Sequence, residues 1–107
     1  MRDYNFDEAI KECTEKYEQE FASCNILKAT IASNGPHGGD SGHGGVTCFK
    51  LEDLGSTCWK VKVKEDEEGF CESLEIVLRG DTELQTFTDA ISWAAAHAVV
   101  LSEGKSK

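Results

Sequence analysis

No run of apolar residues in this chain approaches the length that spans a bilayer, and the N-terminal stretch MRDYNFDEAIKE has no apolar signal core. These two absences disfavour a membrane protein and a secreted one, and make a cytoplasmic location the expectation. No CxxC pair occurs among the five cysteines, Cys13, Cys24, Cys48, Cys58 and Cys71. That removes zinc ribbons and thioredoxin-type redox motifs, and an odd number of cysteines without a signal peptide reads as reduced thiols. Basic residues are scarce as well, with 11 Lys and Arg against 20 Asp and Glu for a net charge of −9. Binding nucleic acid through its phosphates requires clustered Lys and Arg, so direct nucleic-acid binding is disfavoured and a basic partner protein favoured. The plainer reading of the acidity is that it maintains solubility. No internal repeat and no long linker divides the chain, which reads as a single domain, residues 1–107, with one modest core.

What the chain does have in abundance is glycine, concentrated in NGPHGGDSGHGG at residues 34–45, where six of twelve positions are glycine. His37, Asp40 and His43 sit among them at intervals of three. Ordering such a loop costs backbone entropy that some interaction has to offset. Two imidazoles and a carboxylate suit zinc, with Cys48 just downstream as a candidate fourth ligand. A structural role is the expectation for that ion, because clamping a long loop stabilises a small domain. A phosphate-binding loop is rejected, since the residues after the glycines continue as a strand and no Gly-Lys-Ser or Gly-Lys-Thr triplet follows. Gly39, Asp40, Ser41 and Gly42 spell the string around a trypsin-like nucleophile, but the chain is too short for that fold and His37 lies only four residues before Ser41.

Periodicity predicts the elements. Asn5 and Glu8 form a capping pair, and Phe6, Ile10, Cys13, Tyr17 and Phe21 then recur at steps of three and four, predicting a helix over residues 5–20. Its other faces carry Asp7, Glu8, Glu12, Glu15, Glu18 and Glu20. A strand is predicted over 23–33, followed after the glycine loop by a hairpin of VTCFKLEDL and STCWKVKVKE turning near Asp53, Leu54 and Gly55. A second turn at EDEEG leads to a last strand, ESLEIVLRG. The closing helix starts at Asp81 or Thr82 as cap, buries Leu84, Phe87, Ile91, Ala95 and Ala98, and stops at Gly104.

The expected fold is thus α+β, a four-stranded antiparallel meander with the N- and C-terminal helices on one face, in the order α-β-β-β-β-α. Strand parity turns Phe49, Leu51, Trp59, Val61, Val63, Leu74, Ile76 and Leu78 toward the helices. It leaves Cys48 and Cys58 as cross-strand neighbours on an open polar face with Lys50, Lys60, Lys62 and Lys64. Trp59 and Trp93 read as core residues, and His97 as a flanking or partly buried helix residue rather than a ligand.

The acidic helix of Asp7, Glu8, Glu12, Glu15, Glu18 and Glu20, together with the His37, Asp40 and His43 loop, resembles in style the anti-CRISPR proteins of phages, in particular inhibitors of type II-A Cas9, some of which contain metal. That resemblance implies a non-enzymatic inhibitor that occludes a basic nucleic-acid-binding surface of a Cas effector, with carboxylates standing in for phosphates. The contact candidates are Asp7, Glu8, Glu12, Glu15 and Glu18, with the acidic turn Glu65, Asp66, Glu67 and Glu68. The chain would act as a monomer or small homo-oligomer. Two alternatives come from other classes. One is a small zinc-dependent hydrolase in which His37, Asp40 and His43 hold the ion and Glu52 or Asp53 acts as base. The other is an anion-binding module built on the glycine loop and the four lysines.

Overall fold

The computed structural model describes residues 5–40 and 42–103. Ser41 and the Gly104 stop signal lie outside the described residues. The fold is α+β, but it is built from two antiparallel sheets rather than one meander. The elements are α1 (Phe6–Ile10), β1 (Glu15–Ala22), β2 (Ile26–Ser33), β3 (Thr47–Gly55), β4 (Trp59–Glu65), β5 (Cys71–Leu78) and α2 (Asp81–Ser102). Strands β1, β2 and β3 form one sheet in that order, and β4 pairs with β5 alone.

The N-terminal helix starts as its sequence requires. The Asn5 side-chain oxygen accepts the Glu8 amide at 2.9 Å, satisfying one of the donors that a helix start leaves open. It ends after five residues, and the segment expected to continue it is strand β1. The apolar spacing fits either form, because Tyr17 and Phe21 lie four apart and a step of four returns to the same face of a helix and of a strand. Pairing decides between them: β1 meets β2 over eight residues, from Glu15 opposite Ser33 to Ala22 opposite Ile26.

Strand β2 is the centre of the molecule, with Leu27, Ala29 and Ala32 fully buried and Thr30, Ile31 and Ser33 nearly so. Both of its faces are covered, which explains its run of consecutive buried positions. On one face α2 packs, with Trp93 against Phe21 and His97 against Tyr17 at ring centroid distances of 5.8 and 4.6 Å. On the other lies α1, where the Lys50 ammonium sits 5.1 Å from the centre of the Phe6 ring and the Cys13 and Cys48 sulfurs are 4.0 Å apart. The expectation that both helices share a face is therefore corrected. The cause is the short α1, which leaves the chain a whole strand, β1, before β2.

The expected pairing of β3 with β4 is also absent. β3 pairs with β2, from Ser33 opposite Thr47 to Ile26 opposite Gly55. After that, the Asp53 carboxylate accepts the amides of Gly55 at 2.9 Å and Thr57 at 3.2 Å. This Asx turn, followed by Ser56 at φ 62°, directs the chain out of the sheet instead of back along it. The two-stranded arm of β4 and β5 results, with every residue from 60 to 77 exposed. A radius of gyration of 15.1 Å, against about 13 Å for a compact chain of this length, reflects that projection.

The N-cap of α2 is Gly80, φ 131°, with no side-chain cap bond, so neither Asp81 nor Thr82 is the cap. The Glu83 carboxylate folds back over the helix start instead, accepting the Thr82 hydroxyl at 3.1 Å and the Cys58 amide at 3.3 Å. A β-carbon at Gly80 would collide with Glu83 Oε1. Gly80→Ala combines that clash with a positive-φ backbone that only glycine adopts readily, which alone costs on the order of 1–3 kcal/mol. It is expected to lower the thermal midpoint, and an unchanged midpoint in a melting curve would show that Glu83 does not pin this turn.

The buried stripe of α2 is Glu83, Thr86, Ala90, Ala94 and Leu101, which corrects the predicted stripe by about a quarter turn. Leu84 and Ile91 are exposed. The segment after Trp93 is apolar all round, so its pattern did not select a face.

Candidate functional site

The glycine loop closes β2 onto β3, and Asn34 ties its neck. The Asn34 amide donates to Val46 O at 3.1 Å, and the Asn34 side-chain oxygen accepts the Val46 amide at 2.8 Å. Within the loop the two limbs approach so closely that a β-carbon at Gly39 would lie 2.5 Å from the His43 carbonyl oxygen. Backbone contact is thus one reason for glycine here. The loop lies against the C-terminal part of α2 and lines a cavity of about 620 Å³ with Ser33, Thr47, Ala98, Leu101 and Ser102.

The expected zinc ligands are distributed over different environments. His37 and Asp40 line the cavity, with His37 Nε2 2.9 Å from the Asn34 carbonyl oxygen. His43 is exposed, and it donates its backbone amide to the Asp40 carbonyl at 3.1 Å. Cys48 is buried on the α1 face beside Cys13, whereas the cavity lies on the α2 face. Among the described residues no group of three or more His, Cys, Asp or Glu side chains converges as a metal site.

Cys48 and Cys58 are not neighbours, because β3 and β4 do not pair. The thiol beside Cys48 is Cys13, which donates to the Ala9 carbonyl at 3.6 Å. Burial first, and then the adjoining Cys48 and Glu12, push the Cys13 thiol from its ordinary 9.0 up to about 11. A thiol that stays protonated is a poor nucleophile. Alkylation of the native protein by iodoacetamide at mildly alkaline pH is therefore expected to label the exposed Cys24, Cys58 and Cys71 first. Cys13 should react last, its rate rising as the pH approaches about 11. Mass spectrometry of peptides after a time course reads the order, and early labelling of Cys13 would contradict the packing of α1.

The acidic candidates also separate. Asp7 and Glu8 occupy the first turn of α1, Glu12 follows the helix, and Glu15 and Glu18 are in β1. They do not form one helical surface. Glu15 accepts the Tyr17 hydroxyl at 3.1 Å. Glu18 sits between Lys16 at 3.3 Å and Lys28 at 3.6 Å, and the hydrogen bond from Lys16 is the main cause that holds its carboxyl below the ordinary range. With two ammonium groups beside it, Glu18 sits in a locally near-neutral patch rather than an acidic one.

The arm tip is different. Asp66 builds the turn: its carboxylate accepts the amides of Glu68 and Phe70, both at 2.9 Å, and its own amide donates to Phe70 O at 2.8 Å. Glu65, Glu67 and Glu68 stand around it with Glu72, forming a shallow acidic cup whose one cation, Lys64, is 3.5 Å from Glu72.

Sequence reasoning missed the link at the arm's base, where buried Asn25 donates to Thr57 at 2.9 Å and to Thr86 at 2.8 Å. Nothing in the periodicity marks Asn25, which stands in a turn where asparagine is ordinary. Among the described residues no helix is long and apolar enough to cross a membrane. Compared with protein-family models, with curated proteins and with solved structures, the chain matches none.

Proposed function

We propose that this chain is a non-enzymatic binding module that offers the acidic tip of the β4–β5 arm to a basic surface of a nucleic-acid-handling protein. The observation that carries the reading is the tip itself: Glu65, Asp66, Glu67 and Glu68 at the end of an arm that is exposed from residue 60 to 77. Carboxylates held on a projecting hairpin can enter a groove shaped for phosphates and compete with nucleic acid for its Lys and Arg. Asp7 and Glu8 on α1 are secondary contacts, whereas Glu15 and Glu18 are engaged within the chain.

The resemblance to anti-CRISPR proteins narrows the partner class to a Cas effector. The corresponding experiment titrates the chain against guide-free type II-A Cas9, reading association by interferometry and DNA cleavage after guide addition. Salt-sensitive association with loss of cleavage is the expected result. No association at low ionic strength would remove Cas9 from the proposal.

A further inference from the structure

Two of the five cysteines meet, and the backbone on both sides of the meeting is fixed. The Cys13 amide donates to the Ile10 carbonyl and the Thr14 amide to the Ser33 carbonyl, both at 3.2 Å, so residue 13 is held between the end of α1 and the edge of β2. Cys48 stands in β3 opposite Ala32 and is 5% exposed. Their sulfurs are 4.0 Å apart, which is about 2 Å more than a sulfur–sulfur bond, a gap on the scale of one side-chain rotation. The remaining three cysteines are exposed and stand elsewhere, Cys24 in the β1–β2 turn, Cys58 at the base of the arm and Cys71 at the start of β5.

We propose that Cys13 and Cys48 form a site of reversible oxidation, closing to a disulfide that fastens α1 to β3 when the chain meets a peroxide. Two thiols and one hydrogen peroxide give one disulfide and two waters. Cys13 is the half-exposed member of the pair, within reach of a small uncharged oxidant, and reacts first. Its thiolate attacks one peroxide oxygen, the O–O bond breaks, and the departing hydroxide becomes water with the proton that Cys13 released. The Cys48 sulfur then attacks the sulfenic sulfur of Cys13, the S–O bond breaks, and hydroxide leaves as water with the Cys48 proton. Both sulfurs are oxidised and both peroxide oxygens reduced. Because the Cys13 thiol is pushed up to about 11, the first step is slow near neutral pH, and the pair answers sustained oxidant rather than a brief pulse.

The bond closes a span of 35 residues that contains β1, β2 and the whole glycine loop at residues 34–45. That loop gives the unfolded chain much of its freedom, and a cross-link around it removes that freedom before folding begins. The bond also holds Asp7 and Glu8 of α1 against the sheet. The site is separate from the acidic tip of the arm, so it stands or falls independently of the partner read for that tip.

The test uses the full chain and a Cys24→Ser, Cys58→Ser, Cys71→Ser variant that removes the exposed thiols. Each is reduced, freed of reductant and incubated with hydrogen peroxide at mildly alkaline pH, then digested without reduction for mass spectrometry. The expected product is a linked peptide pair containing Cys13 and Cys48, two hydrogens lighter than its reduced parts. The thermal midpoint should rise by roughly 10 °C or more on oxidation and return with dithiothreitol. Cys13→Ser and Cys48→Ala in the triple-serine background should each show no such rise, every variant being compared with its own reduced form so that a lower starting stability does not mask the result. Sulfinic or sulfonic acid at either cysteine without the link overturns the inference. Links formed only between copies do so too, as does a Cys13–Cys48 link that leaves the midpoint where it was.

Discussion

Replacing Glu65, Glu67 and Glu68 together by lysine is expected to weaken binding to a basic nucleic-acid-binding surface on the order of 100-fold or more. The three side chains stand on one tip, so their reversal converts an attractive rim into a repulsive one, and like charges brought together cost several kcal/mol. The thermal midpoint should barely move, because these carboxylates are exposed and exposed charges contribute little to stability. Asp66 is left in place deliberately, since its carboxylate holds the turn through the Glu68 and Phe70 amides. Interferometry against guide-free type II-A Cas9 measures the effect. Undiminished affinity with an intact fold would show that the tip is not the contact and would move attention to Asp7 and Glu8.

Asn25→Ala is expected to destabilise the fold by on the order of 2 kcal/mol, combining two lost buried hydrogen bonds with a small cavity. At this chain length each kcal/mol lowers the midpoint by roughly 4–8 °C, so the change is easily measured. Asn25 is fully buried and its amide nitrogen reaches Thr57 in the link that leads into β4 and Thr86 in α2. One side chain thereby fixes the arm, the β1–β2 turn and the long helix relative to one another. A double-mutant cycle with Thr57→Ala separates this tie from simple loss of volume. Non-additivity of about 0.5 kcal/mol or more marks a shared interaction, and strict additivity would deny that the arm is held through Asn25.

How far the sequence could be read depended on whether a pattern admitted one period or two. Asn5 with Glu8 has one interpretation, and the cap is where it was expected. The EDEEG turn between β4 and β5 is equally unambiguous, because an acidic turn with glycine separates two alternating strands. Tyr17 and Phe21 admit both helix and strand, and only their pairing with β2 decides between them. At the separation of β3 from β4, Asp53 makes two bonds to the backbone and Ser56 follows at φ 62°, where a hairpin reading has the chain fold back. For the glycine loop the ligand spacing was legible but the faces were not. Parity fixes Cys48 relative to its own strand, yet which face carries α1 follows from an element whose end the sequence concealed. The apolar faces of the arm and of α2 were visible as residues and were assigned to a core. They became surfaces because the second sheet stands apart.

The Asx turn at Asp53 also makes the arm nearly independent in evolutionary terms. Substitutions along residues 60–77 change no buried position, so the tip can vary while β2, with its packing on two sides, stays constant. A lineage carrying this chain can therefore follow a partner that alters its basic surface by exchanging the hairpin residues alone, in the way loops are varied on a fixed scaffold. The price is that any change at Asn25, Asp53 or Gly80 affects every version of the arm at once, which makes those three positions the ones selection should hold.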